Sequence, residues 1–217
     1  FQAYTNTYAS LEYLETLYME AITHPDIRIL SIATRPDCLS EKILDLLENL
    51  NRIKPVWVEL GLQTIHEESA RYIRRGYELP VFENAVSELR KRGIDVIVHT
   101  ILCLPNETKP DMLQTIQYLN RQDIHRIKLQ LLHILKDTDL AEIYASDPFP
   151  VPDPQEYYEL LGACISHLRP DIVIHRLTGD GPKELLTAPL WTCNKRQVLN
   201  QLQSYFKTHD IWQGKEC

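Results

Sequence analysis

Apolar and polar positions alternate with period two across residues 56–64. Val56, Val58, Leu60 and Leu62 fall on one side of an extended segment, and Trp57, Glu59, Gly61 and Gln63 fall on the other. A strand facing water would not carry Trp57 among its polar residues, and apolar runs flank it on both sides. The pattern predicts a buried parallel strand whose polar side lines a cavity. Function is expected at that cavity.

The chain around this segment repeats a strand-then-helix order. Leu11, Leu14, Leu17, Tyr18 and Ala21 recur at helical spacing that stops before Pro25. Residues 27–33 read as a strand, with Arg28, Leu30, Ile32 and Thr34 on one face and Ile29, Ser31, Ala33 and Arg35 on the other. Ser40 and Glu41 open a helix to about residue 50. The alternating strand follows, then a helix over 67–75 closed by Gly76 as a left-handed cap. Pro80 opens a helix that runs to Gly93. Residues 94–102 are a strand, Pro110 sits in the first turn of a helix to about residue 122, and residues 126–132 form a fourth strand.

This order predicts an α/β fold with a parallel sheet and right-handed crossovers, open or curved toward a barrel. Four such units cannot close an eight-stranded barrel. The first helix precedes any strand in this reading, so it belongs to an earlier unit or caps the sheet, and either way sequence upstream of Phe1 is expected. Pro148, Pro150, Pro152 and Pro154 make a stiff extended connection. The expected organisation is therefore a partial barrel over residues 1–146 and a Pro-linked α/β extension over 147–217. Within the extension, residues 155–168 and 196–206 read as helices, 172–175 as a short strand and 176–182 as a turn-rich loop.

Composition narrows the class. The chain is 44% hydrophobic and 24% charged, an ordinary globular balance. No run of about 18 apolar residues suggests a membrane span, and the start resembles no secretory signal. A net charge of −7 gives no electrostatic reason to expect a nucleic-acid surface, although local basic patches stay open. The five cysteines, Cys38, Cys103, Cys164, Cys193 and Cys217, show no CxxC or CxxxCxxC spacing. They read as reduced thiols of a cytoplasmic protein and offer no local cluster site. P-loop, GxGxxG, HExxH and GxSxG motifs are absent.

In parallel β/α folds the working groups sit at the carboxyl ends of strands. Here those ends carry Thr34 and Arg35, Gln63 and Thr64, His99 and Thr100 with the Leu104-Pro105 turn, and His133; parity adds Ser31, Glu59, Lys128 and Gln130 to one wall. Such a rim suits a polar ligand of cofactor size. Residue types alone leave other readings open. Arg35 also reads as an exposed loop cation, Glu59 as a structural ion pair with Lys128, His99 and His133 as hydrogen-bonded core histidines, Arg74 and Arg75 as a solvated helix end, and Cys103 as a small buried hydrophobe. Gly179-Asp180-Gly181 is by itself a common turn, and Asp153 with Glu156 is an ordinary helix start.

Several of these segments together resemble the radical SAM superfamily: residues 31–37 (SIATRPD), 59–64 (ELGLQT), Arg75-Gly76 and 99–108 (HTILCLPNET). They are similar to enzymes related to the elongator catalytic subunit and to oxygen-independent coproporphyrinogen oxidase. Residues 175–182, 188–191 and 212–215 resemble a bacterial subfamily of Fe-S oxidoreductases. The resemblance implies a partial (β/α)6 barrel, similar to a TIM barrel, in which a [4Fe-4S] cluster binds S-adenosylmethionine and cleaves it reductively to a 5′-deoxyadenosyl radical. It implies an electron donor such as flavodoxin or ferredoxin.

Carried over by position, Gln63 would bond the ribose, Arg75 would pair with the methionyl carboxylate, Thr34 and Arg35 would line the rim, and Leu104-Pro105 would border the adenine. Glu59 and His99 join this cofactor wall. Lys128, Gln130, His133, Arg176 and Asp180 are candidates for substrate contact, with Trp191 and Lys195 as further rim residues; the extension also reads as a cover for the sheet edge. The CxxxCxxC loop and the Gly-Gly-Glu turn of the family are absent. Ala33, His99 and Cys103 stand where relatives often place Glu, Asp and Gly, and Cys103 has no partner thiols to act as a ligand. The chain alone is thus expected to be inactive. A tRNA-modifying enzyme and a non-enzymatic metabolite- or partner-binding module remain the alternatives.

Overall fold

The computed structural model describes residues 1–217 apart from Ala3 and Asp180. Along the chain it forms α1 (Leu11–Thr23), β1 (Leu30–Thr34), α2 (Glu41–Asn51), β2 (Val56–Gln63), α3 (Glu67–Tyr72), α4 (Leu79–Lys91), β3 (Asp95–Leu102), α5 (Lys109–Leu119), β4 (Arg126–Leu131), β5 (Ile134–Leu135), α6 (Asp139–Ser146), α7 (Pro154–His167), β6 (Val173–Arg176), β7 (Leu186–Ala188) and α8 (Lys195–Thr208). Five strands make one sheet in the order β1-β2-β3-β4-β6, and β5 pairs antiparallel with β7. β1, β2 and β3 are parallel neighbours, as the βα order requires. No helix among the described residues is long and apolar enough to cross a membrane.

The chain divides into two compact units. The first comprises Phe1–Thr100 with Gln122–Lys128, and the second Ile101–Arg121 with Leu129–Cys217. In the first, α2 and α4 pack on β2. Val56, Val58, Leu60 and Leu62 are essentially inaccessible to solvent, as are Leu47, Leu50, Phe82 and Leu89 from the two helices. Each such side chain contributes about 1.5–3 kcal/mol on burial, which is why period two in the strand and period 3.6 in the helices were both visible in the sequence. In the second unit α7 packs against α5 and α8, with Tyr157, Leu161 and Cys164 at its centre. Asp153 and Glu156 form a reciprocal capping box at the start of α7, and Pro154 occupies its first turn.

Four local expectations change. The strand expected from residue 27 begins at Leu30, because the Ile27 N–H closes a turn on the His24 carbonyl. Ser40 stands at the N-cap of α2 but makes no side-chain cap bond. The helix expected over 67–75 stops at Tyr72: Arg74 takes a left-handed φ of 54° and Arg75 turns inward. Finally, α1 does not precede all extended chain. Phe1 donates to Ser31 O at 2.9 Å and accepts from Ala33 N at 2.8 Å, the bonding pattern of a parallel ladder on the free edge of β1. α1 is therefore the helix that follows an edge segment.

Candidate functional site

Registered pairs in a parallel sheet point the same way, so Ser31, Trp57, Glu59, Gly61 and His99 share one face of β1, β2 and β3. Glu59 is its centre. The carboxylate is 2% exposed, and both oxygens are fully used: Oε1 accepts from Ser31 Oγ at 2.7 Å and Gln2 Nε2 at 3.0 Å, while Oε2 bonds Lys128 Nζ at 2.5 Å and His99 Nε2 at 2.7 Å. Burial alone would raise the Glu59 pKa, but the bonds from His99, Lys128 and Ser31 outweigh it and hold the acid well below the usual carboxylate range. An ionised Glu59 accepts only, so His99 Nε2 carries the proton in this bond. One layer away, the Arg126 guanidinium stacks on Trp57 at 4.0 Å from the ring centroid.

The carboxyl end of β2 is a strained turn. Register slips between Gly61 and Gln63, the Thr64 N–H closes on the Leu62 carbonyl at 2.9 Å, and Gln63 between them takes a φ of 67°. A left-handed non-glycine residue at such a position persists only when its surroundings enforce it. Arg75 supplies that enforcement. Its Nη1 donates to the carbonyls of Thr64 at 2.8 Å and Leu62 at 3.4 Å, its Nε to Tyr77 O at 2.9 Å, and its Nη2 to Glu67 Oε1 at 2.8 Å. The guanidinium also lies over the Tyr77 ring, whose hydroxyl burial pushes far up. Gln63 lies folded over Gly61, where a Cβ would come within 2.7 Å of its Nε2, and its Oε1 is buried with no internal partner. An unsatisfied buried acceptor costs about 1–3 kcal/mol, and a ligand donor would recover that.

The other first-unit candidates, Thr34 and Arg35, stand at the carboxyl end of β1. Thr34 is buried and shares a 2.5 Å hydrogen bond with Thr7. Arg35 is a partly exposed cation held by Asp37 through Nε at 2.9 Å and Nη2 at 2.7 Å, and its guanidinium carbon lies 5.9 Å from the centroid of the Tyr77 ring. Glu59, His99 and Lys128 are in direct contact; Gln63 and Arg75 meet through the β2 turn.

In the second unit, Leu104 and Pro105 are buried, and the Leu104 carbonyl closes a turn with the Glu107 N–H at 3.1 Å. Gln130 is half-buried in β4, Arg176 half-buried at the end of β6, and His133 is enclosed by the Gly179 and Gly181 backbone. Asp180 lies outside the described residues. The alternation and the Glu59–Lys128 pairing were readable from sequence; Gln2 and Tyr77 were not. Gln2 sits one residue from the start, too short a stretch for periodicity to register, and Tyr77 follows Gly76 in a loop without a repeat.

Among the described residues no group of three or more His, Cys, Asp or Glu side chains is arranged to hold a metal ion. The described residues do not fit a [4Fe-4S] cluster; at the Gln63 and Gly61 corner one buried acceptor stands open. Burial raises the Cys103 and Cys164 thiols to about 12. Iodoacetamide at pH 8 is therefore expected to label exposed Cys217 rapidly and Cys103 and Cys164 only after denaturation, as read by mass spectrometry of timed digests. Fast labelling of Cys164 in the folded chain would contradict its placement.

A parallel sheet with this polar wall and strand-end turn defines the class, and the chain belongs to the radical SAM superfamily: the superfamily model matches residues 2–119 and the Radical_SAM C-terminal domain model matches residues 124–208. That family uses S-adenosylmethionine and a [4Fe-4S] cluster. The chain is 38% identical to YtqA of Bacillus subtilis over 215 residues, covering 99% of this chain and 67% of the relative. Among solved structures, an N-terminally deleted archaeal Elp3 from Methanocaldococcus infernus superposes with a TM-score of 0.80 at 18% identity, over 96% of this chain and 53% of that one. Coproporphyrinogen III oxidase of Escherichia coli, a radical SAM enzyme, does so with a TM-score of 0.59 at 19% identity, over 75% and 37%. Both likenesses establish the fold. The chain thus spans about two thirds of the bacterial relative and about half of the archaeal structure.

Proposed function

We propose that this chain is the S-adenosylmethionine-side portion of a radical SAM enzyme, inactive without a cluster-binding segment, and that the whole enzyme reductively cleaves S-adenosylmethionine to start radical chemistry on its substrate. The observation that carries the reading is the buried, unpartnered Gln63 amide oxygen over Gly61 at the β2 turn. When bound, the cofactor pair supplies a 5′-deoxyadenosyl radical. The residues of this chain bind and orient. Gln63 Oε1 accepts a ligand hydroxyl, Gly61 leaves room for its side chain to lie flat, and Arg75 fixes the turn that presents it. Because the Arg75 fork is bonded to its own loop, it serves as a positioning residue in place of a clamp on the methionyl carboxylate; partly exposed Arg35 is the cation of this wall better placed for a carboxylate. Glu59, His99 and Lys128 hold the wall rigid and electrically balanced.

Reductive cleavage consumes one electron, so a donor of the flavodoxin or ferredoxin class is the partner this reading requires. A reducing compartment such as the cytoplasm suits the five free thiols. The test is anaerobic reconstitution of the longer protein with iron and sulfide, reduction, and quantification of 5′-deoxyadenosine. Wild type should form it, and Gln63→Ala should weaken S-adenosylmethionine binding roughly tenfold, the equivalent of about 1.4 kcal/mol. Absence of 5′-deoxyadenosine from a protein with a reducible cluster would sink the proposal.

A further inference from the structure

The second unit holds a groove that the proposed reaction does not use. It runs between the start of α7 and one face of α8, has a volume of about 820 Å³ and is lined by residues of that unit alone. Its apolar part is aromatic. Tyr158 and Trp191 meet edge to face with centroids 6.2 Å apart, Tyr205 lies 6.0 Å from Tyr158, and Leu190 in the lining is 65% exposed. No lysine, arginine or glutamate among the described residues lines it, so the groove lacks the cations that a phosphate-bearing ligand calls for.

The α8 side is a row of hydrogen-bond donors. Asn194 caps α8 by accepting the Gln197 N–H through Oδ1 at 3.3 Å, and a backbone N–H only donates, which fixes the Asn194 amide. Its Nδ2 then donates to Gln197 Oε1 at 3.0 Å. Four residues on, Gln201 Oε1 accepts from the Tyr158 hydroxyl at 2.9 Å. Both glutamines thus have their carbonyl oxygens engaged within the groove, and each presents its Nε2 amino group as the open end. Ser204 and Thr208 continue the stripe with hydroxyls.

A ligand that suits this lining is uncharged, apolar along its flanks and rich in acceptors. A polyproline II peptide has those properties: its carbonyls are unpaired, its pyrrolidine rings pack on aromatic faces, and proline brings no N–H that would need an acceptor. The spacing agrees. Gln197 and Gln201 stand about 6 Å apart along the helix axis, four residues at the α-helical rise, and alternate carbonyls of a polyproline II strand recur at about 6 Å, twice its rise. The chain makes such a contact with itself. Trp191 Nε1 donates to the Pro152 carbonyl at 3.0 Å, and the Pro-rich stretch 148–153 ends at Asp153 in the groove lining.

We infer that the groove between α7 and α8 is a docking site for a proline-rich segment of a partner protein in the polyproline II conformation. Gln197 and Gln201 donate to its carbonyls, and Tyr158, Trp191 and Tyr205 receive its rings. This binding is separate from the radical reaction and stands whether or not S-adenosylmethionine is cleaved.

The test titrates the full chain with end-blocked decaproline and follows side-chain amide and indole signals by nitrogen-15 NMR. Saturable shifts should appear at the Gln197 and Gln201 amides and the Trp191 indole, each assigned by its loss in a single variant. An end-blocked Gly-Ser peptide of equal length should leave them in place. The decisive variant is Gln197→Glu with Gln201→Glu. Both positions are exposed, and a carboxylate still accepts from Asn194 and Tyr158, so the fold is kept while the open donors are gone. Decaproline should then bind about tenfold more weakly, the loss expected for two hydrogen bonds. Absence of saturable shifts in wild type, unchanged affinity in the double variant, or equal shifts from the Gly-Ser peptide overturns the inference. So does adenosine moving these signals where decaproline does not, because the groove would then be a pocket for a flat heterocycle.

Discussion

Glu59→Gln should destabilise the protein by about 3–5 kcal/mol at neutral pH, the cost of leaving a buried cation without its counter-charge. The cation is Lys128, whose side chain is 6% exposed and reaches Glu59 at 2.5 Å. The variant keeps shape and much of the hydrogen bonding to Ser31 and Gln2, so the loss isolates charge. Pairing it with Lys128→Met removes both charges, and the double variant should recover much of the loss, since a buried pair replaced by apolar groups is often near neutral. The sign with pH follows from the direction of the shift. Glu59 is more acidic folded than unfolded, so the folded state binds fewer protons. Its stabilisation is complete above the unfolded carboxyl value of about 4.3 and fades as pH falls below it toward the folded value. Urea midpoints from pH 7 to pH 3 should therefore fall more steeply for wild type than for Glu59→Gln. Parallel curves, or a variant as stable as wild type at pH 7, would show that the carboxylate is not the ionised centre of this wall.

That centre was legible because strand parity is rigid. Once Val56 to Leu62 are assigned to the core, Glu59 has only one direction left, and Lys128 falls on the same wall by the same rule. Charge complementarity then follows from burial. What lay beyond the sequence were features decided by tertiary bonds. Nothing in Leu62-Gln63-Thr64 signals a left-handed glutamine, since the residues that favour that region are glycine and asparagine. The early end of α3 has the same origin: Ile73 and Arg74 fit a helix, but carrying it on would withdraw the Arg75 guanidinium from the Thr64 carbonyl. α6 was missed for another reason. None of its residues is buried, so it carries no amphipathic stripe to detect, and only its Thr138 cap marks it.

The resemblance segments at the carboxyl terminus have a local physical reason as well. Gln213 donates to the carbonyls of Arg169 at 2.9 Å and Ile172 at 2.7 Å, which ties the last residues to the turn before β6. Gly214 takes a φ of 80° with Pro170 against it, where a Cβ would come within 3.0 Å of the ring. A Trp-Gln-Gly-Lys string is therefore readable as a clasp only once its partner turn is known. The rim residues differ in kind: their sequence signal was chemical, and their geometry depends on contacts with residues distant in the chain.

Arg75 joins those two kinds of information, and its replacement is the second large effect expected. Arg75→Met removes the guanidinium bonds to Tyr77 O, Thr64 O and Leu62 O, the last of which also accepts from Thr64 N. Each buried carbonyl left unpaired costs about 1–3 kcal/mol. The bond to Glu67 adds less, because that carboxylate is 41% exposed and its charge is screened by water. A total near 3 kcal/mol should lower the melting temperature by roughly 6–12 °C for a domain of this size. Arg75→Lys keeps the charge but not the fork, and should fall between the two because one ammonium cannot reach carbonyls on both Tyr77 and Thr64. The readout specific to positioning is the β2 turn itself. With its brace gone, the strained Gln63 backbone relaxes, and the Thr64 amide, which closes the turn, should lose protection from hydrogen exchange by more than the global loss of stability accounts for. If Arg75→Lys melts with wild type and the Thr64 amide stays protected in Arg75→Met, the guanidinium does not hold this turn.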